Sequence, residues 1–325
     1  GQIASAKVIE TVPLVQGDEP LIYVLVRVEY VEAEAETFAI PLAVVVEPPA
    51  GGNPVATLQI ATGANKVLIE ATTESAAKVL LEAALKGTTF PTERGKLVGG
   101  LVAGADMSLE GLGEPRILGT DRLGATIAYG DRAVLKLLYR TEEGTEPELE
   151  VARFFRDSQG PDSPRITPRV LGYVERREGR GDPATLALLE EYVVNEGTAW
   201  QQARKEIGRT YEALLAQPAG TAVPELPSRS LLELAGMDPP ATHSEAAGAF
   251  RDWAMLLGRR TAELQLAMTK SDDPVFAPAG YSAMDQRSKY QSARNLVGRV
   301  LAALRRTMST LPANARELAA RLVDS

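Results

Sequence analysis

Residues 7–15, 21–31 and 37–46 are rich in Val, Ile, Leu and Tyr over strand-like lengths. Residues of that kind at that density predict three strands. Turn-forming segments separate or follow them, Gly17-Asp18-Glu19-Pro20 and Glu47-Pro48-Pro49-Ala50-Gly51-Gly52. The spacing then becomes helical: Ala76, Ala77, Val79, Leu80, Ala83 and Ala84 fall along one side, with Thr72 or Thr73 placed to cap the start. The opening region therefore reads as a small β-rich module with one helix.

From about residue 96 to 189 the pattern is short strands around one helix. Residues 116–119, 125–129 and 133–139 are strand-like, and Gly130-Asp131 suits a hairpin turn between the last two. Residues 148–157 have helical spacing (Leu149, Ala152, Phe155), with Pro147 fitted to the first turn. Two more strands are predicted at 170–176 and 185–189. Beyond Thr198 the chain reads as mostly helical, with long amphipathic stretches at 243–268 and 281–308 and a shorter one at 313–323. A loop is predicted at 217–229. The pattern gives an α+β fold class.

A chain of 325 residues suits two or three domains. Its net charge of −8 disfavours nonspecific binding to nucleic acid or to anionic membrane, so neither is expected as a partner. With no cysteine, the chain has no disulfide, no thiolate nucleophile and no Cys-based zinc site. Its one histidine, His243, rules out a site built on two imidazoles. Hydroxyl and acidic neighbours in Thr242-His243-Ser244-Glu245 suit a helix start, so a surface or capping role is expected there. No apolar run approaches the roughly 20 residues that span a bilayer. The start, Gly1-Gln2-Ile3-Ala4, lacks a basic-then-apolar leader, and the expectation is a cytoplasmic protein.

Lys136 is the local anomaly. It is centred in an apolar strand, Ala133-Val134-Leu135-Lys136-Leu137-Leu138, where an ammonium needs a partner unless it simply faces solvent. The next helix offers Glu148 and Glu150, of which Glu150 has the better spacing. Strand, turn, strand, lysine, helix and glutamate in that order is how a protein-kinase-like fold holds nucleotide phosphates. The turn here is Leu118-Gly119-Thr120-Asp121-Arg122-Leu123-Gly124-Ala125-Thr126. The last predicted strand runs into Glu191-Tyr192-Val193-Val194-Asn195-Glu196-Gly197, which reads as a hinge whose backbone meets adenine or as an ordinary strand-to-helix linker.

Several blocks together resemble the maltokinases. They are Tyr129-Gly130-Asp131-Arg132-Ala133-Val134-Leu135-Lys136-Leu137 and Glu146-Pro147-Glu148-Leu149-Glu150-Val151-Ala152-Arg153-Phe154, then 184–188 running to Val193-Val194-Asn195-Glu196-Gly197-Thr198-Ala199-Trp200. In the helical part, Leu257-Gly258-Arg259-Arg260-Thr261-Ala262-Glu263-Leu264 and Gln286-Arg287-Ser288-Lys289-Tyr290-Gln291-Ser292-Ala293-Arg294-Asn295-Leu296 are similar too. The resemblance covers nearly the whole chain. It implies an N-terminal cap at 1–95, the nucleotide-binding lobe of a two-lobed protein-kinase-like body at 96–193, and an incomplete helical lobe at 194–325. It also implies maltose 1-phosphate formation from maltose and ATP with Mg2+, and fusion to or association with trehalose synthase. By position, Lys136 would contact the α- and β-phosphates and Glu150 would hold it. The loop with Gly124 and Thr126 would cover the phosphates, and Glu191 to Val193 would meet adenine. Gln286, Arg287 and Tyr290 fall in the block implied to contact the sugar, although Tyr290 and Leu296 also suit packing.

The sequence departs from that family in three places. Maltokinases carry Ser, Asn and Thr in the loop, where this chain has Asp121-Arg122-Leu123-Gly124-Ala125. Gln265 stands where a histidine is expected. Neither a His-Gly-Asp catalytic loop nor an Asp-Phe-Glu magnesium segment occurs in these 325 residues. The chain is expected to begin inside the cap, to stop short of the catalytic loop and to be inactive alone. Two other readings remain open: a noncatalytic nucleotide-sensing or protein-binding module, and a kinase for an amino sugar or aminoglycoside.

Overall fold

The structure is a computed structural model that describes residues 2–17, 20–47, 54–59, 65–71, 73–105, 107–158, 167–218, 228–238, 249–270 and 273–323. His243, Thr72, Asp18 with Glu19, the 48–52 turn and most of the 217–229 loop lie outside the described residues. The fold is mixed α+β with a strongly curled antiparallel sheet. The chain divides into two compact units, 1–260 and 261–325.

The first unit opens with β1 (Ile3–Val15), β2 (Leu21–Tyr30) and β3 (Glu36–Val45), where the sequence places strands. β4 (Pro54–Gln59) and β5 (Asn65–Glu70) follow, giving an antiparallel sheet in the order β1-β2-β3-β5-β4. A much later segment, β11 (Arg140–Thr141), also pairs with β3. Helix α1 (Thr73–Lys86) buries Ala76, Ala77, Leu80, Ala83 and Ala84, the apolar side read from the sequence.

A second sheet takes β6 (Thr89–Pro91), β7 (Gly95–Leu101), β8 (Pro115–Thr120), β9 (Gly124–Tyr129), β10 (Ala133–Leu138), β12 (Val170–Glu178) and β13 (Ala184–Glu191). Its order is β6-β7-β12-β13-β10-β9-β8, antiparallel throughout. The domain boundary expected at residue 95 thus falls in the β6–β7 hairpin, both strands of which belong to this sheet. The two sheets and α1 share one apolar cluster. Val12, Tyr23, Leu25 and Ala39 of the first sheet join Leu97, Ile127, Leu135, Leu137 and Leu189 of the second. Gly99 of β7 lies directly under α1: a Cβ there would sit 2.1 Å from the Ala83 carbonyl oxygen.

Helix α2 (Pro147–Ser158) covers part of the other face, where Leu149 packs with Val102, Val170 and Leu188. Beyond β13 come α3 (Ala199–Leu215), α4 (Leu231–Ala235) and α5 (Ala249–Met268), the last running across the division between the units. The second unit holds α6 (Ala283–Thr307), a 3-10 turn (Met308–Thr310) and α7 (Ala313–Val323). Ser282 and Asp285 form a reciprocal cap at the start of α6. Among the described helical positions after Thr198, apolar side chains such as Trp200, Leu256, Leu296 and Val300 are exposed, so the amphipathic pattern there is not matched by burial. No helix among the described residues is long and apolar enough to cross a membrane.

A buried ion pair ties the two sheets. Glu10 of β1 accepts a hydrogen bond from the Arg176 side chain of β12, which also meets Glu178, and accepts the Arg94 N–H at 3.3 Å. Burial raises the Glu10 pKa, but hydrogen bonds from Thr92, Arg176 and Arg94 outweigh it and hold the carboxyl below its usual range. Its contribution to stability is therefore present above the unfolded-state pKa and is lost as pH falls through the lower folded-state value. Glu10→Gln is expected to destabilise the fold by about 3 kcal/mol at neutral pH. In denaturant titrations, the gap between variant and wild type should narrow as pH falls through the lowered folded-state pKa of Glu10.

Candidate functional site

On β10 buried and half-buried positions alternate, as the pleat of a half-covered sheet requires. Ala133, Leu135 and Leu137 enter the shared core. Val134, Lys136 and Leu138 therefore point to the other face. In register with Lys136 are Thr126 on β9 and Leu188 on β13, and Glu190 on β13 stands opposite Val134. Strand parity thus puts Thr126, Lys136, Leu188 and Glu190 on one face, the face on which α2 packs.

The Lys136 ammonium meets three carboxylate oxygens. Glu148 of α2 accepts at 2.7 and 3.0 Å, and Glu190 lies 3.0 Å away. Burial pulls the Lys136 pKa down, but the Glu148 hydrogen bond and the Glu190 charge outweigh it, and the net shift is upward. Burial raises the Glu190 pKa; the Lys136 charge opposes this and the Glu148 charge adds to it, leaving Glu190 above its ordinary value. Lys136 therefore stays charged, and burial favours the protonated form of Glu190.

The expected partner, Glu150, is replaced by Glu148, and the reason is helical geometry. With about 100° between successive residues, Glu148 and Glu150 lie on nearly opposite sides of α2. Leu149 faces the sheet core, fully buried. Glu148 flanks it on the side toward Lys136. Nor does Lys136 simply face solvent, the other reading of its position: its side chain is 30% exposed and fully paired. Glu190, which the sequence reading passed over as the end of a buried strand, is the residue it missed. Its signal was parity, since it sits two places from Leu188 on the lysine face.

The β8–β9 turn is closed by its own acid. Asp121 Oδ1 accepts the N–H groups of Leu123 at 2.7 Å and Gly124 at 3.1 Å, while Asp121 N–H donates to the Gly124 carbonyl at 2.9 Å. The loop expected to offer backbone donors to phosphate thus has three of them occupied, two by the Asp121 carboxylate. Gly124 also has a packing reason, because a Cβ there would lie 2.0 Å from the Leu137 carbonyl oxygen.

After β13 the chain is extended. Glu191 N–H bonds to the Arg169 carbonyl and its carboxylate pairs with Arg169 at 3.1 Å; Tyr192 N–H bonds to the Arg132 carbonyl. Asn195 Nδ2 donates to the Val193 carbonyl at 2.8 Å. Val193 is half exposed, and among the described residues nothing accepts its N–H.

Gln286, Arg287 and Tyr290 lie in the first two turns of α6, in the second unit. Gln286 and Tyr290, four apart, share a side of that helix. Tyr290 is 63% exposed and Leu296 is exposed too, so neither packs into a core among the described residues.

Lys136→Met would leave Glu190 buried beside Glu148 without a cation. A carboxyl whose folded pKa is raised favours folding below its unfolded pKa, and that advantage is lost as pH rises through the folded value. The variant is therefore expected to fold but to lose about 2 kcal/mol against wild type at pH 8, and less near pH 5, in thermal melts at the two pH values. No protein-family model matches the chain.

Proposed function

We propose that the Lys136 face binds the phosphates of ATP, and that the chain carries the nucleotide-binding part of an ATP-dependent sugar kinase of maltokinase type. The observation that carries this reading is Lys136 on the third of three successive antiparallel strands, β8, β9 and β10, gripped by a glutamate from the following helix. A protein kinase uses a lysine on its third strand, paired to a helix glutamate, to hold nucleotide phosphates. Two further features support the reading. β13 neighbours β10 and runs straight into the extended 191–197 linker, so the lysine and the linker belong to adjacent strands. The Val193 N–H supplies a backbone donor of the kind adenine needs.

In this reading 96–193 is the nucleotide lobe and the helices after it belong to the second lobe. Lys136 is the phosphate contact, with Glu148 in the holding role given by resemblance to Glu150. Thr126 adds a hydroxyl beside the lysine. Magnesium would arrive with the nucleotide, and the Asp-Phe-Glu segment that would hold it does not occur in these residues. Maltose is the proposed acceptor, through the α6 block with Gln286, Arg287 and Tyr290, in a cytoplasmic enzyme associated with trehalose synthase.

A noncatalytic nucleotide-sensing module is the second reading. It is favoured by the Asp121-closed loop, whose carboxylate withholds two amides from phosphate.

Titration of wild type with a fluorescent ATP analogue and Mg2+ should give saturable binding, weakened at least about tenfold by Lys136→Met, the loss of one charge-assisted contact. Equal affinity in the two proteins would overturn the assignment. These 325 residues should form no maltose 1-phosphate from maltose and ATP; turnover would mean that the proton acceptor for the sugar hydroxyl lies elsewhere in the chain.

A further inference from the structure

Resting on that reading of the Lys136 site, we propose that nucleotide binding is proton-linked: when phosphate engages Lys136, Glu190 takes a proton from the medium and stays buried as a neutral acid.

The three N–H donors of Lys136 already face three carboxylate oxygens. An incoming phosphate must displace at least one of them. The two acids differ in their access to water. The Glu148 side chain is 50% exposed, on the first turn of a helix, and stays in contact with water while it holds Lys136. The Glu190 side chain is 9% exposed, on a strand paired on both sides with β10 and β12, so a hydrogen bond that it yields to phosphate is not replaced by water. A buried carboxylate without its cation is unfavourable by several kcal/mol, and such a group neutralises instead.

The charged surroundings of Glu190 favour that outcome. From β10 it is faced by Lys136 and from α2 by Glu148; its neighbour in register on β12 is the apolar Val170. Glu146, just before α2, adds negative charge near Glu148 and Lys136. Arg169, which immediately precedes β12, is engaged by Glu191, and Arg176 and Arg177 within β12 pair with Glu10, Glu178 and Glu175. Among the described residues, Lys136 is the cation that acts to keep Glu190 ionised, and phosphate, itself an anion, competes for it. The proton balance is simple: the medium supplies H+, the Glu190 carboxylate becomes a carboxylic acid, and no bond to the nucleotide forms or breaks. Glu190 acts through Lys136 and is a positioning residue.

The test is calorimetric titration of the 325-residue protein with Mg-ATP at about pH 7.5, where phosphate is already largely ionised, in buffers of differing ionisation enthalpy. The heat should vary with the buffer, with a slope corresponding to uptake of up to about one proton per nucleotide. Affinity should fall with rising pH, by at most about tenfold per pH unit, and flatten below the pH at which Glu190 is already protonated in the free protein. Glu190→Gln should bind with no buffer dependence and a flat pH profile. An infrared difference spectrum of wild type should show a carboxylic-acid carbonyl band appearing on ATP binding, a readout that does not depend on the variant folding. Binding without proton uptake in wild type would overturn the linkage and leave the nucleotide reading standing. Full uptake retained in Glu190→Gln would overturn the assignment to Glu190. No ATP binding by wild type would instead remove the nucleotide reading, and the linkage with it.

Discussion

The arrangement of the second sheet turns on one ammonium group held among carboxylates. Lys136 sits between Val134 and Leu138 on a strand whose alternate residues are fully buried, where an unpaired charge would not be tolerated. Two acids from different elements meet it, Glu148 from α2 and Glu190 from β13. Their convergence requires β13 to lie beside β10 and α2 to start close to the same face. Leu149 makes the second condition compatible with burial, because it enters the core beside Leu188 while its neighbour Glu148 reaches the lysine. Strand order, helix phase and charge placement are thus one constraint seen from three sides.

Much of the first unit was legible in the sequence. The strands at 7–15, 21–31 and 37–46, the helix with Ala76 to Ala84, and the run of β8, β9, β10 and α2 all follow local periodicity strong enough to survive packing. β7 was not legible, because Gly95, Gly99 and Gly100 weaken any strand signal and their reasons are tertiary: Gly99 lies under α1, while Gly95 and Gly100 meet Arg177 and Tyr173 of β12. β4 gave no alternation because all six of its residues are exposed. The candidate site was half legible. A lysine in an apolar strand announces the need for a partner, yet which partner depends on helix phase and strand register. Separation along the chain pointed to Glu150, geometry gives Glu148, and Glu190 enters only once β13 is known to pair with β10.

Acidic side chains recur wherever this unit could hold an anion. Asp121 fills the β8–β9 turn, while Glu148 and Glu190 surround the lysine. The same chemistry serves structure at Glu10, where a buried carboxylate joins β1 to β12 through Arg176. The difference lies in the balance of charge. Glu10 receives hydrogen bonds from Thr92 and Arg94 as well as Arg176, and the balance holds it below its usual range, whereas Glu190 leans on Lys136 with the Glu148 charge beside it and stays above its usual range. The first arrangement is suited to staying as it is, the second to exchange.

The pairing of β11 with β3 bears on how the chain reaches this fold during synthesis. Residues 140–141 pair with the interior strand β3 of a sheet whose other strands lie before residue 71. The inner side chains of that sheet, Tyr23 and Leu25 among them, pack in one cluster with Ile127, Leu135 and Leu189. On the ribosome, the first strands therefore wait for more than half of the chain before their apolar face is covered. Contacts so distant in sequence make for slow closure and leave β-edges open to wrong partners meanwhile, which makes the emerging N-terminal sheet a natural client for a chaperone.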